Sequence, residues 1–162
     1  MTYAEKMSLV DAFENAYSRI EDLVAGMSDA ELAFVPPIDS AWSINEHLVH
    51  LLDADCNLVY RARGAVGESG ITVPVWDQEA WRAKLKYSLS DGRKCLRTAQ
   101  GVRSFIAESL RNLQDAEWEV SGIVHPQRGP MKLTDVVELY RGHADFHEKY
   151  ILRNREAYVS VK

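Results

Sequence analysis

Four segments of this chain carry apolar residues at intervals of three and four, and the last of them runs without a proline from Leu133 to Asn154. It places Leu133, Val136, Val137, Tyr140, His143, Ala144, His147, Tyr150, Ile151 and Asn154 on one stripe, the period of an amphipathic helix rather than the alternation of a half-buried strand. The same spacing predicts helix one over residues 3 to 25 (Met7, Val10, Phe13, Tyr17, Ile20, Val24), closed by Gly26. Helix two opens at the Ser43/Glu46 capping box and carries Ile44, Leu48, Leu51, Leu52, Leu58, Val59 and Ala62 up to Gly64. Helix three starts near Ser90 and carries Leu96, Ala99, Val102, Ile106, Leu110 and Leu113.

The connections sort these helices. SDAE (28 to 31), a capping box ahead of Pro36 and Pro37, turns the chain between helices one and two. From Gly64 to Leu89 the link is too long for a tight turn, and it bears Trp76 and Trp81. A crossover of that length lets helix three run parallel to helix two. WEVSGIV is the one stretch that reads as a strand. The expectation is an all-α, single-domain four-helix bundle over 1–162, in up-down-down-up order with the long crossover between helices two and three.

Composition narrows the function. Apolar residues at 46% and charged residues at 27% exclude a disordered chain. A net charge of -5, with only the short basic clusters RAR (61 to 63) and RNR (153 to 155), argues against nucleic acid as a partner. No apolar window long enough to span a membrane and no secretory leader pattern is visible, so the expected location is cytoplasmic, with no membrane association. Cys56 and Cys95 have no metal or redox spacing and read as small buried apolar residues.

The chain has five histidines, and two of them, His143 and His147, fall on the apolar stripe of helix four. An HxxxH pair puts two rings on one side of a helix, one turn apart, where both reach a single divalent ion. Helix two offers His47 and His50. The helical wheel puts His47 nearer the middle of the apolar face, whereas axial position favours His50: it lies roughly 20 Å from the end of helix two, and His143 and His147 roughly 15 and 21 Å from the start of helix four. If the helices are antiparallel, three rings meet at one level. Each buried polar group left without a partner costs about 1–3 kcal/mol. Either a metal ion or a network of hydrogen bonds must therefore satisfy them, and three neutral donors leave a metal with open positions.

WSINEHLVHLLDAD and GHADFHEKYI, in that order, resemble the two signature elements of the DinB/YfiT-like superfamily. GMSDAELAFVPPIDSAWS, DQEAWRAKLKYS and HPQRGPMKLTDVVELY resemble its remaining segments, so the likeness spans nearly the whole chain. The resemblance implies a four-helix bundle, commonly a homodimer, holding zinc or nickel on His50, His143 and His147. His47 departs from the family pattern and is a candidate fourth ligand or pocket wall. Phe146 stands where relatives often have another histidine. The family includes metal-dependent hydrolases and transferases or isomerases that use a low-molecular-weight thiol on a small-molecule substrate.

Both chemistries suit three neutral imidazoles, because an ion that keeps its charge lowers the pKa of bound water to about 7 and deprotonates a bound thiol. Glu46, Asp53 and Asp55 are candidates to orient the ligands from behind. Asp55 is the candidate catalytic residue, since it projects onto the apolar face, where its other reading is a buried hydrogen bond. Trp76, Trp81 and Tyr87 are candidates for a substrate mouth or for satellite core, and His125 reads as a loop residue. The alternative to an enzyme is a stress-response or binding module with a structural or vestigial metal site.

Overall fold

The computed structural model describes residues 1–161. Helix one is interrupted: α1 (Tyr3–Glu14) and α2 (Ser18–Ala25) are separated by a turn at residues 15 to 17. At the break the Asn15 side chain donates to the Asp11 carbonyl at 2.8 Å, competing for a backbone acceptor, as asparagine does inside helices. The apolar stripe nonetheless continues across it, with Phe13, Tyr17 and Ile20 all fully buried. A short α3 (Asp29–Ala33) begins at Ser28, whose hydroxyl accepts from the Glu31 N–H.

Helix two is α4 (Ile44–Gly67), and both arms of its Ser43/Glu46 capping box are formed. It does not stop at Gly64. That glycine is helical, and its missing Cβ makes room for Ile71, whose Cγ2 would stand 3.3 Å from a Cβ there. The crossover then holds β1 (Ile71–Thr72), α5 (Gln78–Lys84) and a 3-10 turn at Tyr87–Leu89. Helix three is α6 (Gly92–Arg111), capped by Asp91.

The stretch expected to be a strand divides into α7 (Asp115–Val120) and β2 (Gly122–His125), which pairs antiparallel with β3 (Gly129–Lys132) and parallel with β1. This small sheet adds two strands, β1 and β3, to the one that the sequence suggested in the connections. It needs Gly122, because a Cβ there would meet the Met131 carbonyl at 2.7 Å. Helix four is α8 (Leu133–Ser160).

Residue pairs give the relative directions of the four long helices. Asn45 bonds Ser90 and Gly92, Asp55 bonds Arg103, and Arg63 bonds Ser109, so α4 and α6 run parallel. Trp42 pairs with Asn154, His47 with His147 and Arg61 with Tyr140, so α8 runs antiparallel to α4. The first helix runs antiparallel to α6, through Asp11 with Arg111 and Glu21 with Gln100. The molecule is a four-helix bundle.

Its interior holds two apolar clusters, one around Phe13, Leu58, Ile106 and Val136, the other around Tyr17, Leu48, Leu96 and Ile151. Between them lies Arg103, wholly buried, with its guanidinium over the rings of Phe13 and Tyr17. Cys56 is exposed and Cys95 half-buried, contrary to the reading of both as core residues, and both thiols are free. No helix among the described residues is long and apolar enough to cross a membrane.

Candidate metal centre

Because α4 and α8 are antiparallel, the turn carrying His47 and His50 faces the turn carrying His143 and His147. His50 Nε2 lies 3.2 Å from His143 Nε2, and His147 Nε2 lies 2.9 Å from the same atom. One ring nitrogen from each of the three is within 4.8 Å of the other two. Two nitrogens bound to one tetrahedral zinc at 2.0–2.1 Å stand about 3.3 Å apart, so the spacing suits a shared cation.

Hydrogen bonding alone fits less well. A neutral imidazole nitrogen carries either one proton or one in-plane lone pair, so His143 Nε2 can satisfy one of its two close neighbours and not both. The rings stay neutral because burial lowers their pKa values, with Arg153 and Arg82 adding to the effect at His47 and Arg103 at His143: His47 to about 3, His50 to about 4, His143 to about 3, and His147 lower still. In the unfolded chain the same rings titrate near 6.5. Between about pH 6.5 and 4 the unfolded state therefore binds protons that the folded state refuses, and stability is lost as pH falls through that window. Thermal melts at constant ionic strength should show a falling Tm from pH 7 to pH 4; a flat profile would mean the rings accept protons in place.

His47 is not in the triad. Its Nδ1 lies 3.0 Å from Nδ1 of His147, on the side of that ring away from His143. Of the two readings of His47, a fourth ligand or a pocket wall, it lines the cavity beside His147, and a ring held against the back of His147 can fix its tautomer and orientation, a role usually taken by a carboxylate or carbonyl. With the His147 proton on Nδ1, its Nε2 presents a lone pair toward His143.

None of the three acidic candidates reaches a histidine. Glu46 caps α4 and bonds Arg82 at 3.1 Å. Asp53 accepts from the Tyr87 hydroxyl. Asp55 grips Arg103 at 2.8 and 3.2 Å, fully buried and away from the cavities beside the histidines. Its position on the apolar face is thus explained by a buried ion pair. His50 Nδ1, His143 Nδ1 and His47 Nε2 are sealed from solvent without a partner among the described residues.

Aromatic rings wall the centre. Trp76 stacks on His50 with centroids 5.3 Å apart and meets Trp81 edge-on. Trp42, which the sequence reading did not single out, packs against both His47 and His50. Phe146 is half exposed and stands edge-on to His147. Tyr87 is buried away from both cavities.

The two cavities meet at His143. One, of about 280 Å³, is lined by His50, His143, Trp76, Tyr140, Arg61 and His125 among others. The second, of about 490 Å³, is lined by Trp42, His47, His147, Phe146 and Tyr150. His125, read from sequence as a loop residue, ends β2 and forms part of the first wall. Arg61, placed from sequence only in a short basic cluster, lies eleven residues beyond His50, which returns it to within about 20° of the same helix face and is the signal that could have found it.

The profile of the DinB superfamily matches residues 12–151. The chain belongs to the DinB superfamily. A Geobacillus kaustophilus protein named "Putative metal-dependent hydrolase" is 24% identical over 156 residues, covering 95% of this chain and 87% of that protein. "Putative metal-dependent hydrolase YfiT" of Bacillus subtilis is 23% identical over 148 residues, covering 91% and 82%. The solved structure of YfiT, described as "a probable metal-dependent hydrolase with an unusual four-helix bundle topology", superposes with a TM-score of 0.87 at 22% identity, covering 96% of this DinB-superfamily chain and 89% of YfiT. A mycothiol-dependent maleylpyruvate isomerase superposes with a TM-score of 0.64 at 14% identity, over 91% of this chain and 59% of the isomerase. These likenesses show the fold.

Proposed function

We propose that this chain is a metal-dependent enzyme that holds one divalent cation, zinc or nickel, on His50, His143 and His147 and acts on a small electrophilic substrate as a hydrolase or as a low-molecular-weight-thiol transferase. The observation that carries the reading is the convergence of three Nε2 atoms onto one point between two cavities. The relatives named as metal-dependent hydrolases and the thiol-dependent fold neighbour support it. A cation bound there would supply a Lewis acid that activates water or a thiol.

The chain's own residues set the conditions. Three neutral imidazoles with no carboxylate among them leave the cation's charge undiminished. His47 orients His147, and Trp42 and Trp76 exclude water from the flanks of the rings. With His47 engaged behind the triad, protein does not close the coordination sphere from that side, which favours a catalytic site over a closed structural one.

The test is metal analysis of purified protein together with thermal melts with and without chelator, zinc and nickel being added back separately. One ion per chain and a chelator-sensitive Tm are expected; no bound metal and an unchanged Tm would defeat the proposal. Panels of hydrolysable esters and amides, and of electrophiles offered with low-molecular-weight thiols, then separate the two chemistries.

His47→Ala isolates the orienting role. It is expected to weaken metal binding by about 10–100-fold, the usual cost of losing a partner behind a ligand, while one ion per chain still binds at saturation. Competition against a chromophoric chelator measures this. Loss of all binding would make His47 a ligand, and unchanged affinity would remove its role.

A further inference from the structure

Three cationic side chains are buried among the described residues, and two of them face carboxylates. Lys6 lies against Asp115 at 2.8 Å and Glu119 at 2.5 Å, and Arg103 against Asp55 at 2.8 Å. Arg61 does not. It is 7% exposed, and it donates to the Tyr140 hydroxyl at 3.0 Å and to the Pro74 carbonyl at 3.0 Å, both neutral acceptors. These contacts orient the guanidinium and leave its charge unbalanced, an arrangement that folding alone disfavours. Two of its five N–H groups are used, which leaves donors for another partner.

Arg61 lines the 280 Å³ cavity whose wall includes His50 and His143, and no carboxylate lines that cavity among the described residues. Arg128 stands on the same wall without an ion pair among the described residues. The Gln127 N–H donates to His125 Nδ1 at 3.2 Å, so the proton of the neutral His125 ring sits on Nε2, a further donor on this wall. The cavity on the other side of His143 has a mixed lining, with Asp39 and Glu79 beside Arg153.

We propose that the first cavity is an oxyanion subsite, in which Arg61, assisted by Arg128 and the His125 Nε2–H, holds a carboxylate or phosphate group of the substrate while the rest of that molecule reaches the His50 and His143 wall. The link to catalysis rests on the metal reading above; the anion subsite itself does not. Arg61 accounts for specificity, since a planar guanidinium pre-oriented by Tyr140 and Pro74 recognises an oxyanion by charge-assisted bonds.

Isothermal titration with acetate, methyl phosphate and neutral acetamide, on chelator-stripped and on zinc-loaded protein, tests this. At least one anion is expected to bind the stripped protein while acetamide does not, and the tighter anion identifies the group. Arg61→Gln should weaken that binding about tenfold or more and Arg128→Ala by a few-fold. If Arg61→Gln does not fold, Arg128→Ala and the acetamide comparison carry the test. Binding confined to zinc-loaded protein and unchanged in the variants would make the anion a metal ligand, overturning this proposal while sparing the metal centre. Absence of anion binding in either form, or equal binding of acetamide, also overturns it. Anion binding by protein that takes up no metal would sustain the subsite and defeat the metal reading instead.

Discussion

His147→Ala should abolish stoichiometric metal binding and, with it, the protection that metal gives against heating. His147 is the hinge of the histidine cluster: its Nε2 is 2.9 Å from His143 Nε2 and its Nδ1 is 3.0 Å from His47. Removing it leaves His50 and His143 with no third donor, so the affinity loss should exceed the roughly 100-fold limit expected for His47→Ala. A ligand that binds only the folded state stabilises it by about 4 kcal/mol at a thousand times its Kd. For a chain of this length that is a Tm rise of about 8–16 °C, expected in the wild type and absent in the variant. Without metal the variant should melt no lower than the stripped wild type by more than the cost of a small cavity. A wild-type-like metal response in His147→Ala would remove the triad as the metal centre.

Arg103→Met should be the most destabilising single change in the bundle. Arg103 donates to Asp55 twice, to the carbonyls of Phe13 and Tyr140, and to the Tyr17 hydroxyl, all in a fully buried setting. It thereby joins the first helix, α4, α6 and α8 at one point. Its loss strands the Asp55 carboxylate, at a cost of about 3–5 kcal/mol out of the 5–15 kcal/mol typical of a domain. Urea denaturation should show the midpoint falling accordingly, and Asp55→Leu combined with Arg103→Met should recover much of the loss, since an apolar pair leaves no charge unpaired. A double variant no better than the single would show that the hydrogen bonds to the helix backbones matter more than the ion pair. Asp55→Asn should keep metal affinity within a few-fold, because Asp55 touches Arg103 and no histidine; a collapse of metal binding would return Asp55 to the site.

Much of this architecture was legible because it is local. Intervals of three and four along Leu133–Asn154 and the Ser43/Glu46 box depend on neighbours within a turn or two, and α8 and the start of α4 follow them. The crossover length implied a parallel third helix, and the pairs Asn45–Gly92 and Arg63–Ser109 realise it. Axial counting also brought His50 to the level of the turn carrying His143 and His147, since the rise per residue of a helix is nearly constant. The small sheet was not legible: β1 and β2 are separated by about fifty residues of chain, and two to four residues per strand carry too little pattern. Asp55 seemed a catalytic candidate because a carboxylate on an apolar face needs a partner, and only the packing of α6 reveals that the partner is Arg103.

The sequence by itself determined that the chain makes long amphipathic helices and that histidines lie on the inward faces of two of them, because side-chain spacing on a helix is set by backbone geometry. Only the tertiary structure decided which nitrogen meets which, that His47 stands behind His147, and that Arg61 is buried beside His50 without a counter-ion among the described residues. Those outcomes depend on the rotation and sliding of α4 against α8, to which every residue of the interface contributes and which no short stretch of sequence contains.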